Sequence, residues 1–176
     1  MKEQLQKDFD NIIKNLSLSQ RDTEIKQFYL DNFINKGFPN RRDENWKFSD
    51  LNQIIKKNIG QLSFYNDYTS TNKVDTSVFV DGLEHNKIVF INGRIEKIDF
   101  DYEKKEQIEI IDKSETINKF NNNNSLSDLN NAFTNKSFKI IVKNGYQLVK
   151  PLIIYHITNS DIWSKNINLR LDFELG

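Results

Sequence analysis

The chain has 176 residues, 37% hydrophobic and 28% charged, enough for one modest core or the front end of a larger protein but not for two independent domains. Lys+Arg and Asp+Glu both number 25, and no block of like charge offers a footprint for nucleic acid or a membrane surface; Arg41-Arg42 is answered at once by Asp43 and Glu44. There is no Cys, which excludes a disulfide framework, a Cys-based zinc site, a thiol nucleophile and Cys ligation of an iron–sulfur cluster by this chain.

The opening segment, MKEQLQKDFDNIIKNL, is charged and amphipathic and lacks the apolar stretch of a secretory signal. No apolar run approaches the roughly 20 residues of a membrane span, so the default compartment is the cytoplasm. Phe9, Ile12, Ile13 and Leu16 fall at i, i+3, i+4 and i+7, the stripe of a helix that buries one face. Ser17 and Ser19 break it, and Ile25, Phe28, Tyr29 and Phe33 begin a second stripe. That helix ends in NKGFP: Gly37 is placed for a left-handed conformation past the last turn, and Pro39 cannot continue the helix. Two amphipathic helices joined by a short polar link predict an antiparallel hairpin.

A polar run follows, containing Trp46. Then Ser49 or Asp50 can cap a short third helix with Leu51, Ile54 and Ile55 on its apolar face, ending near Gly60. On this reading Gly37-Phe38-Pro39 closes one helix, the charged run turns the chain, and Trp46 with Phe48 pins the turn against the helices.

Residues 61–86 are polar and read as irregular, with a short segment at 77–80. The period then changes. KIVFINGRIEKI sets four β-favouring residues, Ile88 to Ile91, directly before Asn92-Gly93, with Ile95 and Ile98 beyond, which predicts a hairpin. A short strand is expected over 107–111, a loop tip at Asn121 to Asn124, and a short helix, SLSDLNNAF, with Leu126, Leu129 and Phe133 facing inward.

From Phe138 onward the chain reads as successive strands, with Pro151 at a strand start or corner. In the last strand Ile167, Leu169, Leu171, Phe173 and Leu175 alternate with polar residues, predicting one apolar and one polar face. Short strands with Asn/Gly corners suit a sandwich or the first coils of a β-solenoid. Because the chain stops straight out of this strand, it is expected to be the N-terminal piece of a longer polypeptide.

No catalytic constellation is visible. The six glycines, at 37, 60, 82, 93, 145 and 176, are isolated, so a phosphate-cradling loop and a dinucleotide fingerprint are both excluded. His85 reads as solvated and His156 as a structural histidine at the end of an apolar strand. Carboxylate neighbours such as Asp99 with Asp101 and Asp43 with Glu44 read as solvated surface. Within the turn, Glu44, Trp46 and Lys47 are the residues most able to contribute a buried ion pair or a partner contact.

The stretch GFPNRRDENWKFSDL resembles the Gly-Phe-Pro, Glu-x-Trp-Lys, then Leu motif near the start of the SufD family, scaffold subunits of iron–sulfur cluster assembly. FINGRI (90–95), LNNAF (129–133), GYQLVKPLIIYH (145–156) and NINLRLDFELG (166–176) are similar to family features in the same order, covering the chain from about residue 21 to the end. Phe48 and Ser49 stand where many relatives have Tyr and Thr, and Asn40 where Thr is common.

The resemblance implies an α+β architecture: a helical N-terminal region over 1–60, a mixed connecting region over 61–136 with a hairpin near 88–98, and, over 137–176, the first strands of a right-handed parallel β-helix. It implies a non-catalytic scaffold with a SufB-like scaffold partner and a SufC-like ATPase partner, contacted mostly beyond residue 176. The iron–sulfur cluster would belong to the assembled complex, with no cofactor on this chain. Gly37, Phe38, Pro39, Glu44, Trp46, Lys47 and Leu51 match the family motif and are assigned to fold or partner docking; no catalytic or metal-binding residue is assigned. Two alternatives remain: a fragment of a β-helix polysaccharide-acting enzyme, and a free-standing protein-binding module.

Overall fold

The computed structural model describes residues 2–58, 62–64, 76–112, 124–158 and 167–176. Among them are four α-helices and two three-stranded sheets, the mixed α+β class that the two hydrophobic periods predict. The chain divides into two compact units, both discontinuous in sequence. One takes Met1–Asn66, Ser114–Asn135 and Ser164–Arg170; the other takes Asp67–Lys113, Lys136–Trp163 and Leu171–Gly176.

The first unit is helical. Helix α1 spans Lys2–Lys14 and buries Leu5, Phe9 and Ile12. Helix α2, Gln20–Lys36, begins at Ser19, whose hydroxyl accepts from the Asp22 amide at 3.1 Å and so satisfies one of the amides a helix start leaves open. It ends at Gly37, which has φ 73° and ψ −169° and donates its N–H to the Phe33 carbonyl at 2.6 Å. The positive φ is the expected one, but the ψ lies outside the left-handed helical region, in backbone space that is essentially closed to residues with a Cβ.

The closing partner of α2 is not chiefly α1, as a simple hairpin would have it, but α4, Ser125–Phe133. Ile25, Tyr29, Leu30 and Phe33 of α2 share one core with Ala132 and Phe133 of α4. Phe133 sits at its centre: Phe64 stacks on its ring at 3.6 Å and Phe9 meets it edge-on at 6.1 Å. An aromatic of this size, 2% exposed, stabilises the core by about 2–3 kcal/mol through burial alone. Thus a helix distant in sequence completes what the first two begin. Helix α3, Leu51–Asn58, is capped by Asp50, which accepts from the Gln53 amide at 3.1 Å; it buries Ile55 and leaves Ile54 43% exposed. Gly60, where the sequence placed its end, lies outside the described residues.

The second unit holds the strands. Strands β1, Asn86–Ile91, and β2, Arg94–Asp99, form the predicted antiparallel hairpin. Asn92 (φ 50°) and Gly93 (φ 81°) supply the two positive φ angles that its two-residue turn requires. On its other side β1 pairs with β5, Leu152–Ile157, in parallel, from Asn86↔Leu152 to Ile91↔Ile157. As the middle strand, β1 is buried almost throughout, which explains its unbroken apolar run. Pro151 lies immediately before β5 and its carbonyl accepts from the Asn86 amide at 2.8 Å, a strand-start position that needs no amide donor.

The other sheet has the order β3-β4-β6, with β3 at Ile108–Asp112, β4 at Lys136–Val142 and β6 at Leu169–Leu175; β3 and β4 are antiparallel. The expected alternation in β6 does not translate into burial. Phe173 and Leu175 are 48% and 75% exposed, while Asn168 is buried and donates to the Asn130 Oδ1 at 3.1 Å. β6 is an edge strand, and among the described residues its far end has no covering layer.

Candidate functional site

The motif that stands out in the sequence folds into a series of tight turns after α2. Asp43 N–H donates to the Asn40 carbonyl at 2.9 Å, Trp46 N–H to Asp43 at 2.8 Å, and Ser49 N–H to Trp46 at 2.8 Å. Asn40 and Asp43 also bond the backbone through their side chains: the Asp43 carboxylate accepts from the Asn40 amide at 2.8 Å, and the Asn40 Oδ1 from the Arg42 amide at 2.9 Å. These local bonds are the ones that Asn and Asp offer a turn.

The turns wall an open cleft of about 640 Å³. Gly37, Phe38, Pro39, Glu44 and Trp46 all line it, with Lys36, Asp43 and Asn124-Ser125 at the start of α4. Two motif residues lie elsewhere: Lys47 is exposed, its ammonium 5.8 Å from the Phe48 ring centroid, and Leu51 opens α3, half-buried against the helical core.

One expectation is overturned. Phe48 is 90% exposed and cannot pin the turn, and Trp46 is only half-buried. The anchor is Phe38, 5% exposed with its ring 5.0 Å from Phe33, edge to face. Directly after Gly37 it reaches the core first, and the turns that follow carry Phe48 out to water.

The electrostatics of the cleft are uneven. Lys36 is already committed to Asp128, at 2.9 Å, and Asp128 is 1% exposed. Among the described residues, Glu44 has no ion-pair partner and Asp43 has only backbone contacts. A second cleft of about 430 Å³, in the strand unit, is different: its Lys87 and Asp99 face each other at 3.7 Å, Lys97 adds to Asp99 at 3.3 Å, and Glu84 holds Lys150 at 2.6 Å. Its charges are largely answered from within.

The two histidines exchange the roles expected of them. His85 is 5% exposed; its Nδ1 faces the Leu83 carbonyl at 2.6 Å and its Nε2 the Tyr155 hydroxyl at 2.8 Å. Because a carbonyl only accepts, Nδ1 carries the hydrogen, Nε2 accepts from Tyr155, and Tyr155 in turn accepts from the Val80 amide at 3.1 Å. His156 is the exposed one, lying flat on Phe90 at 5.0 Å, and desolvation on that side lowers its pKa from the ordinary value.

Besides Asp128, two further buried charges are not marked out by a motif in the sequence. Lys26 is 1% exposed and its ammonium reaches the carbonyls at the end of α4: those of Asn131 and Ala132 at 3.5 Å, and that of Thr134 more closely. Burial pulls its pKa down to about 8, opposed by the charge of Asp22. A signal was available, since position 26 lies on the stripe of Tyr29, Leu30 and Phe33.

Glu103 is 8% exposed and accepts from the Asn86 Nδ2 at 2.7 Å, the Tyr146 hydroxyl at 2.7 Å, and the amides of Val149 and Lys150 at 3.0 and 3.1 Å. Desolvation pushes its carboxyl up, but these donors outweigh it and hold the carboxyl below the usual range. No local pattern announces it, because its partners come from two other stretches of chain, Asn86 and the run from Tyr146 to Lys150.

Among the described residues, no group of three or more His, Asp or Glu side chains is placed to hold a metal ion, and no helix is long and apolar enough to cross a membrane. No family model matches the chain, and no curated protein is significantly similar to it.

Proposed function

We propose that this chain is the N-terminal part of a SufD-like, non-catalytic scaffold subunit, acting in the cytoplasm in a complex that assembles iron–sulfur clusters. The observation that carries the reading is the parallel β1–β5 ladder. A right-handed parallel β-helix needs strands distant in sequence laid side by side in parallel, and a parallel pairing of this kind supports that reading. On this reading the hairpin strand β2 flanks the opening coil, and the partners are a SufB-like scaffold and a SufC-like ATPase. The cluster is the cargo of the assembly rather than a cofactor of this Cys-free chain.

The test is capture of the endogenous protein with antibodies against residues 1–60, followed by intact-mass analysis of what is recovered. The reading expects a polypeptide much heavier than 20.8 kDa, arriving with an ATPase and a second β-helix subunit. Recovery of a 20.8 kDa chain alone would sink it. A second reading, a free-standing binding module, is favoured by one observation: Trp46 lines an open cleft instead of filling the core. That outcome of the capture would turn attention to it.

A further inference from the structure

The sequence contains two Asn-Gly pairs, Asn92-Gly93 and Asn144-Gly145, and the strand unit holds them in opposite circumstances. In this dipeptide the asparagine side-chain amide is unusually open to attack by the next backbone nitrogen, because glycine has no Cβ to obstruct the approach. The freedom of the asparagine side chain, and of the peptide that follows it, decides whether the attack takes place.

Asn92 has neither freedom. It is 5% exposed, its own N–H is tied to the Ile157 carbonyl of β5 at 2.9 Å, and the β1–β2 ladder clamps the turn from Ile91↔Arg94 onward. Bringing its Cγ over the Gly93 nitrogen requires the hairpin to open first. Asn144, by contrast, follows β4 in an exposed turn closed by the Tyr146 N–H, which donates to the Lys143 carbonyl at 3.0 Å. Gly145 supplies the positive φ of that turn, 75°. The peptide between Asn144 and Gly145 is the central one of the turn. Its rotation breaks no hydrogen bond, since among the described residues neither the Asn144 side chain nor the Gly145 N–H has a partner.

We propose that Asn144 is a site of spontaneous covalent ageing, converting to aspartate and isoaspartate through a cyclic imide, and that the fold shields Asn92 from the same reaction. The Gly145 nitrogen gives its proton to solvent base and bonds to the Asn144 Cγ; the bond from Cγ to Nδ2 breaks, and that nitrogen takes up a proton and leaves as ammonia. Water then opens the ring at either carbonyl, giving a side-chain carboxylate or a main chain rerouted through Cγ. Isoaspartate lengthens the main chain by one methylene shortly before Tyr146, whose hydroxyl donates to Glu103 at 2.7 Å. The end of β6 lies against the same turn, where a Cβ on Gly176 would meet the Asn144 Cα at 2.2 Å. The reaction therefore loosens the strand unit where Glu103 staples it. This chemistry is independent of the scaffold reading, and the two fail separately.

The experiment incubates the whole chain at mildly alkaline pH, folded and in parallel in urea, and follows the gain of about 1 Da that each conversion brings. Peptide mapping against a zero-time sample localises the gain. In the folded chain Asn144 is expected to convert faster than Asn92 by about tenfold or more, because only Asn92 waits on local unfolding. In urea, where both are the same dipeptide in an open chain, the two rates are expected to converge. Asn144→Gln, whose longer side chain closes a larger and slower-forming ring, should remove the fast gain and leave the Asn92 rate unchanged. Equal rates at the two sites in the folded chain, a faster Asn92, or no gain at Asn144 in the folded chain would each overturn the inference. The aged parent is also expected to unfold at lower urea than Asn144→Gln aged beside it; matching midpoints at complete conversion would overturn the link to the Glu103 staple.

Discussion

The helical unit and the strand unit each bury a charge against free backbone groups, Lys26 in the first and Glu103 in the second, and they satisfy it in opposite ways. In the helical unit the cation Lys26 gathers three carbonyls at the end of α4, where a helix leaves acceptors unpaired and its dipole favours positive charge. In the strand unit the anion Glu103 gathers the amides of Val149 and Lys150 just before β5, together with Asn86 at the start of β1 and the Tyr146 hydroxyl. Both charges staple segments distant in sequence, and both do so through backbone groups that no ladder or helix satisfies. The difference lies in what burial does to the charge. The neutral carbonyl acceptors around Lys26 do not offset its desolvation and its charged form is disfavoured, whereas the donors around Glu103 outweigh desolvation and its charged form is favoured.

The largest effect is expected at Glu103. Glu103→Ala leaves Asn86, Tyr146 and two amides without their acceptor, and is expected to destabilise the chain by about 3–5 kcal/mol in urea unfolding. A loss below about 1 kcal/mol would show that the loop before β5 is held by something else. Lys26→Met keeps the packing volume but removes the donors at the end of α4, with an expected loss of about 2–4 kcal/mol.

The pH dependence sharpens the contrast, because the two groups act at opposite ends of the scale. With Lys26 at about 8 folded and 10.5 unfolded, the unfolded chain binds more protons between those values, so stability rises with pH across that window, by on the order of 3 kcal/mol. Subtracting the Lys26→Met profile from the parent profile isolates this rise, and identical profiles would refute it. The folded pKa of Glu103 is depressed, so its contribution is complete above its ordinary 4.5 and lost as pH falls through the lower folded value. Glu103→Gln should therefore flatten the acid limb of the stability curve and leave the alkaline limb unchanged.

The smallest effects are expected at the motif. Trp46→Ala should lower stability by only about 1–2 kcal/mol, and Phe48→Ser should be neutral to within about 0.5 kcal/mol, against about 3–4 kcal/mol for Phe38→Ala. A large loss at Phe48 would return it to the anchoring role that its exposure denies.

Local patterns were legible wherever the determining partners are sequence neighbours. Asp50, one of the two residues expected to cap α3, does so, and the Asn92-Gly93 turn closes the hairpin between two β-favouring runs; Ser19 and Asn124, expected only to break a helix and to form a loop tip, also cap the helices that follow them. The candidate site was legible in part: five of the seven motif residues, Gly37, Phe38, Pro39, Glu44 and Trp46, line one cleft, because they lie in a single run of turns. Its other wall, Asn124 and Ser125, carried no signal, since nothing in SLSDLNNAF says which loop will face it. The aromatic anchor was misplaced for the same reason. Phe38, Trp46 and Phe48 are all plausible anchors by composition, and only the path of the chain chooses among them.

Periodicity, turn chemistry and missing donors act over a few residues, so the helix and strand segments, the cap of α3, the hairpin turn and the coarse α+β class are written locally in the sequence. Only the tertiary structure decided that α4 is the main partner of α2, that β5 runs parallel to β1, that His85 is buried and His156 exposed, and that Lys26 and Glu103 are structural charges. Each depends on groups brought together across long stretches of chain. Burial and hydrogen-bond satisfaction are properties of that meeting and are not written in either segment alone.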